Sequence, residues 1–222
     1  MKMKKSVYLF AAVVLSVLLL CGCAAKKTDA IVSQLRTDVL EGRTGDCVFT
    51  AYLEEREIPL IADGIAGDKT PAVIVKISDS SAFYGAYTVT VTVSGKEYSA
   101  APELKADTLM KATVILDEPC RQKEITVTLK GEKEVSATLV SVLPEDTCGY
   151  EKALDTAKTA LGDKIIYKGG KAEGEIFVRV LYENGAAYWY VGYVNGDTVN
   201  SVLIGADGET VVAEKDFAND NK

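Results

Sequence analysis

Seven short β-rich runs fill the stretch from Cys47 to Leu143, and this density of strand signals narrows the folds open to the chain more than any other feature. The runs are Cys47–Leu53, Glu57–Ala62, Ala72–Ser78, Tyr87–Ser94, Lys111–Leu116, Glu124–Lys130 and Glu134–Val142. Turn formers separate them, among them Gly64, Gly67, Pro71, Gly85, Gly95, Pro102, Pro119 and Gly131. Tyr87-Thr88-Val89-Thr90-Val91-Thr92-Val93 alternates without a break, and Ile125, Val127 and Leu129 repeat the pattern. Successive side chains on a strand point to opposite faces, so such alternation gives one apolar and one solvated side.

This pattern predicts a mainly β chain with an antiparallel sandwich of immunoglobulin-like build over residues 46–144. No tryptophan stands in that segment, so kinship with antibody domains is not implied. Ahead of it, over residues 23–45, the reading is a tether followed by a helix. Thr28-Asp29 can cap that helix, Ile31, Leu35 and Val39 recur at i, i+4 and i+8, and Gly42 can stop it.

Pro144 to Gly149 reads as a linker to a small α+β domain over residues 149–216, leaving a polar tail at 217–222. Ala153, Leu154, Ala157 and Leu161 form one stripe of a helix that Gly162 ends. Asn184-Gly185 between two apolar runs then signals a two-residue type I′ hairpin. In that register Val180 faces Trp189, Val178 faces Val191 and Ile176 faces Tyr193, on the side turned to the helix. The other side carries Phe177, Arg179, Leu181, Tyr188 and Tyr190, more aromatic area than a solvated face needs, and is the candidate binding surface. Its alternatives are packing against the sandwich and contact with a protein or glycan partner. Further turns at Asn195-Gly196-Asp197 and Ala206-Asp207-Gly208 extend the hairpin to a four-stranded meander.

Tyr150–Glu214 resembles the PepSY-type domain of exported bacterial proteins. Ala153-Leu154-Asp155-Thr156-Ala157 answers to its alanine-rich helix, and Gly205-Ala206-Asp207-Gly208-Glu209-Thr210-Val211 to its terminal turn, with Gly205 in place of the usual aspartate. The resemblance implies a non-catalytic extracytoplasmic module and carries no site residues with it.

At the N-terminus, Lys2, Lys4 and Lys5 precede the apolar run Val7–Leu20, the layout of an export signal over residues 1–22. The uncharged stretch Ser6–Ala25 is long enough for a retained membrane helix, which is the rival reading. Leu20-Cys21-Gly22-Cys23 resembles the bacterial lipobox. That resemblance implies cleavage between Gly22 and Cys23 and a diacylglyceryl thioether on Cys23. Two acyl chains anchor stably where one binds only reversibly. The expected location is therefore the cell membrane, lipid-anchored, on its extracytoplasmic side.

The full chain carries 25 basic and 32 acidic residues, a net charge of −7. Cleavage removes three lysines and no acid, leaving 22 basic residues and a balance of −10. Such a chain repels nucleic acid, and no basic run exceeds Lys26-Lys27, so no nucleic-acid partner is expected. Cys47, Cys120 and Cys148 remain after Cys21 and Cys23 are set aside, open either to one bridge or to three free thiols.

The chain has no histidine, which excludes Ser-His-Asp and Cys-His mechanisms and histidine-ligated metals. No Ser-x-x-Lys occurs, and Ser94-Gly95-Lys96 reads as a hairpin tip. Glu54, Glu55 and Glu57 around Arg56 could supply acid and base for glycoside cleavage, but read more simply as a solvated turn. Asp207, Glu209 and Asp197 fall short of the six to eight oxygens calcium takes. No catalytic residue, metal site or cofactor is assigned. The functional expectation is a membrane-anchored binding or scaffolding module. The alternatives are a glycan- or wall-contacting module using the exposed aromatics and, below it, a carboxylate hydrolase.

Overall fold

The computed structural model describes residues 30–132 and 134–219, so the signal segment, Gly22 and Cys23 lie outside the described residues. The described chain is mainly β. Its strands are β1 (Val32–Thr44), β2 (Cys47–Arg56), β3 (Thr70–Ser78), β4 (Thr88–Val93), β5 (Lys96–Ala100), β6 (Glu103–Ala106), β7 (Leu109–Ile115), β8 (Glu124–Lys130) and β9 (Val135–Ser141). The helix α1 (Tyr150–Leu161) follows, then β10 (Tyr167–Lys168), β11 (Lys171–Ala172), β12 (Glu175–Glu183), β13 (Ala186–Asn195), β14 (Thr198–Gly205) and β15 (Val211–Ala218).

Thirteen strands share one sheet in the order β15-β14-β13-β12-β1-β2-β3-β7-β6, with β9-β8-β4-β5 branching from β1. β1 is the spine. β2 runs antiparallel along its length, β12 pairs parallel with its first part, and β9 pairs antiparallel with Leu40 and Glu41. A bulge between Arg36 and Asp38 separates the two halves. An extra residue on one strand bends it and increases its twist.

Residues 32–44 are therefore strand, not the helix expected there. Ile31, Leu35 and Val39 do line one apolar cluster. However, a spacing of four returns to the same side in either a helix or a strand, so that stripe could not tell the two apart. Gly45, at φ 58°, makes the tight turn that pairs Thr44 with Cys47 and commits β1 to the sheet.

Glu57–Ala62 is not a strand. Pro59 lacks the N–H a ladder needs, and the segment leaves β2 as a loop whose Glu57 N–H donates to the Ser33 carbonyl at 3.0 Å. β5 and β6 were not expected, because their mostly exposed, charge-bearing sequences KEYSA and ELKA lack an apolar face. The tip Ser94-Gly95, with φ of 52° and 78°, joins β4 to β5 as read from the sequence. The polar tail begins later than expected, since β15 runs to Ala218. Asn219 is buried, its backbone N–H donating to the Asp197 carbonyl and its side chain to the carbonyls of Ala62 and Gly196.

Two large apolar clusters result. One lies where the sheet curls over itself, with Phe49, Ala51 and Leu53 of β2, Val73, Val75 and Ile77 of β3, and Ala112 and Val114 of β7 meeting Val89 and Val91 of β4 and Ile125, Val127 and Leu129 of β8. The other lies under α1, whose Ala153, Leu154, Ala157 and Leu161 cover Ile176, Val178, Val180, Trp189, Val191 and Tyr193. Each fully buried Leu, Ile or Val contributes about 1.5–3 kcal/mol.

The β12–β13 hairpin has the register read from Asn184-Gly185: Val180 pairs with Trp189, Val178 with Val191 and Ile176 with Tyr193. Asn184 and Gly185 both take positive φ, 52° and 81°, as a type I′ turn requires. We expect Gly185→Ala to lower stability by about 1–2 kcal/mol through backbone strain alone, since nothing lies within 4 Å of the added carbon. Urea unfolding checks it, and an unchanged midpoint would contradict the turn assignment.

Candidate binding face

Strand alternation sends one set of side chains into the cores and the other to the opposite face of the sheet. On that outer face β12 and β13 present Phe177, Arg179, Leu181, Tyr188 and Tyr190, with Arg179 beside Tyr190 and Leu181 beside Tyr188. The parallel pairing of β1 with β12 sets Gln34 beside Phe177 and Arg36 beside Arg179. Beyond β1, Arg36 faces Glu54 and Gln34 faces Arg56 on β2. Lys76 of β3 then faces Lys111 of β7. The surface expected on one hairpin thus continues across six strands.

The five residues marked in the sequence do not share one environment. Phe177 is buried, clustered with Val194 and Val199 beneath Leu60 and Ala62 of the 57–69 loop. It is therefore not part of an exposed binding surface. The first part of the loop, Glu57–Ala62, was expected to be a strand, and its return across this face could not be foreseen. Leu181 and Tyr188 are half-buried and line a groove of about 300 Å³ with Leu203 and Val212 near the hairpin tip. Tyr190 is half-buried, and burial pushes its phenol above the ordinary tyrosine value.

Arg179 is the hinge between these aromatics and a polar network. Its guanidinium lies 5.0 Å from the Phe177 ring centre and 5.6 Å from that of Tyr190, within cation–π range. Its Nε donates to Gln34 Oε1 at 2.6 Å, and Gln34 Nε2 donates to Glu54 Oε2 at 2.8 Å. Burial, then repulsion from Arg36, lowers the Arg179 pKa from its usual value. The guanidinium stays charged, because arginine's pKa lies far above physiological pH.

Glu54 is the centre of the network, with a fully buried side chain. Arg36 Nε donates to its Oε1 at 2.8 Å and Arg56 to its Oε2 at 3.3 Å. The solvated turn expected around Glu54 is thus wrong: Glu54 sits on β2 and is enclosed by its partners. Glu57 lies apart, its carboxylate accepting the Gly67 N–H. The Arg36 guanidinium stands 3.9 Å from the Tyr52 ring centre and the Lys76 ammonium 5.2 Å, so two cations converge on one ring. Arg36, Arg56, Lys76, Lys111 and Arg179 together line a groove of about 230 Å³ around Tyr52 and Glu54. Burial, then repulsion from Arg56 and Lys105, lowers the Lys111 pKa.

Sequence reading named only Arg179 of these five cations as a surface candidate. The others lie on separate strands, between Arg36 and Lys111, and no local spacing links them. The available clue was a cation at an outward position of each strand, visible only once the pairing order is known.

Elsewhere, Glu175 is fully buried, accepting from Ser33 Oγ and, at 3.2 Å, from the Gly64 N–H, which ties the 57–69 loop to β12. Burial raises its pKa. A third concavity of about 730 Å³, lined by Leu143, Pro144, Tyr150 and Trp189 among others, holds the buried Thr147 Oγ1, which has no hydrogen-bond partner among the described residues, and the Trp189 indole beside the Cys148 thiol. Among the described residues Cys120 and Cys148 are free thiols, and the Cys47 thiol donates to Asp79 Oδ2 at 2.8 Å. Among the described residues no helix is long and apolar enough to cross a membrane. Comparison with protein-family models, curated proteins and solved structures finds no match to the chain.

Two outcomes follow. Glu54→Gln leaves Arg36 and Arg56 with an uncompensated buried charge and should cost about 3–5 kcal/mol in urea unfolding. For Glu175, a raised folded pKa makes stability fall as pH rises from the unfolded value of about 4.3 through the folded one. Glu175→Gln should therefore flatten the stability decline that sets in as pH rises above the unfolded value, measured by urea midpoints. An equally steep profile in the variant would assign the decline to another group.

Proposed function

We propose that the chain is an exported lipoprotein, anchored through Cys23 on the extracytoplasmic side of the cell membrane, and that it works by binding a partner on the outer face of its long sheet. The observation that carries the binding role is the concentration of five cations and several half-buried aromatics on one face of an acidic chain. A partner has charge, π-face and shape to engage there without any bond being made or broken. In this reading residues 46–144 are an immunoglobulin-like sandwich and 149–216 a PepSY-type module, joined through β1. The order and apolar faces of β2–β9, and the helix and meander of α1 and β12–β15, support it.

The anchor rests on Leu20-Cys21-Gly22-Cys23. Residues 24–30 can span at most about 25 Å when extended, so the sheet would sit close to the leaflet. A glycan- or wall-contacting role is the second reading, favoured by the groove at Leu181 and Tyr188, where a sugar ring could stack. A carboxylate hydrolase has less support, because both Glu54 oxygens accept from cations or Gln34.

Two measurements test the proposal. The mature N-terminus of the native chain should carry an acylated Cys23, and Cys23→Ser should abolish that mass and release or strand the protein. A photo-crosslinking residue at Leu181, introduced in intact cells, should capture a reproducible neighbour that the same residue at exposed Glu97 on β5 does not. Equal capture at both positions would remove the face from the account.

A further inference from the structure

We propose that the groove bounded by Arg36, Arg56, Lys76, Lys111 and Arg179 is an oxyanion site that receives a phosphate group of its ligand. The assignment rests on the reading of the outer face as the binding surface and names the chemistry it would recognise.

The charge balance is the first argument. Within the groove Glu54 is the one carboxylate among the lining residues, against five cations. Its two oxygens are already shared between Arg36, Arg56 and the Gln34 amide. The Arg179 Nε donates to a neutral amide oxygen. Lys76 stands over a ring face and not on a carboxylate. Like charges gathered on neighbouring strands repel, and cross-strand repulsion costs stability. Lys76 and Lys111 nevertheless face each other directly, with Glu103 of β6 opposite Lys111 on its other side and outside the groove lining.

Shape is the second argument. The side chains come from five strands and, with Tyr52, line one small volume of about 230 Å³. Arg36 and Arg56 are only 15% and 14% exposed, and partial burial strengthens a charge-assisted hydrogen bond relative to bulk water. Guanidinium forks suit the oxygens of phosphate, and two lysines add point charges at the rim. A surplus of several positive charges is matched best by a group carrying more than one negative charge, which a phosphate ester or two neighbouring phosphates supply. Tyr52, Tyr190 and the Leu181–Tyr188 groove on the same face leave room for the uncharged remainder of the ligand.

The phosphate could belong to a soluble phosphorylated ligand or to an anionic lipid headgroup of the leaflet nearby. Calorimetric titration of the full-length chain in neutral detergent, at low ionic strength, separates the two with inorganic pyrophosphate and with monomeric dihexanoyl phosphatidylglycerol as probes. We expect saturable binding of at least one probe, weakening with added salt. The double variant Lys76→Gln/Lys111→Gln, which leaves the Glu54 ion pairs intact, should weaken it about tenfold. A melting temperature no lower than the parent's confirms that the double variant is folded. Tighter binding of pyrophosphate assigns a soluble ligand, and tighter binding of the lipid assigns a headgroup. If neither probe binds, or if the double variant binds as tightly as the parent, the oxyanion site is overturned. Should the Leu181 crosslink persist in that case, the binding face stands without its phosphate. Loss of both removes the face as well.

Discussion

The hydrogen-bond ladder of β1 is the constraint on which the rest of the structure depends. One edge of this strand is taken by β2 from Gln34 to Thr44, and the other is divided between β12 and β9. The bulge after Arg36 bends the strand as it passes from one partner to the next, where the Val39 N–H donates to Asp38 Oδ1 and its carbonyl accepts the Val142 N–H. Without β1, the curled β2–β9 region and the helix-backed meander would each expose an unpaired edge, a known route to aggregation. With it, they form one sheet with two cores on its inner side.

The same pairing creates the outer face. β1 brings Gln34 and Arg36 between Arg179 of β12 and Glu54 of β2. That bridge turns separate charged residues into a connected network running Arg179, Gln34, Glu54, then Arg36 and Arg56. A buried carboxylate shared by two guanidiniums is weak evidence for added stability, since desolvation offsets the attraction. It does fix where its partners point. Arg36 is held against Tyr52, Lys76 stands over the same ring, and Arg56, Lys111 and Arg179 line the groove with them.

How much of this could be read in advance depends on how local each signal is. The Asn184-Gly185 turn and the flanking alternation gave every pair of the β12–β13 hairpin, because a two-residue loop leaves only one register. The α1 stripe needed only four neighbouring residues. By contrast, the four-residue spacing of Ile31, Leu35 and Val39 suited two structures equally, and the wrong one was inferred. The charge-rich edge strands β5 and β6 carried no apolar period to detect. Phe177 looked exposed because a loop more than a hundred positions earlier in the chain covers it.

By itself, the sequence determined the mainly β character, the helix at Tyr150–Leu161, the hairpin register and the absence of any histidine-based chemistry. These follow from side-chain period, turn geometry and composition, each of which acts within a few residues. Only the tertiary structure decided that residues 32–44 are a strand, that Glu54 is enclosed by arginines, and that five cations line one groove with Tyr52. Those outcomes depend on which edges pair, and edge pairing is settled by hydrogen bonds between segments as far apart as Arg36 and Arg179.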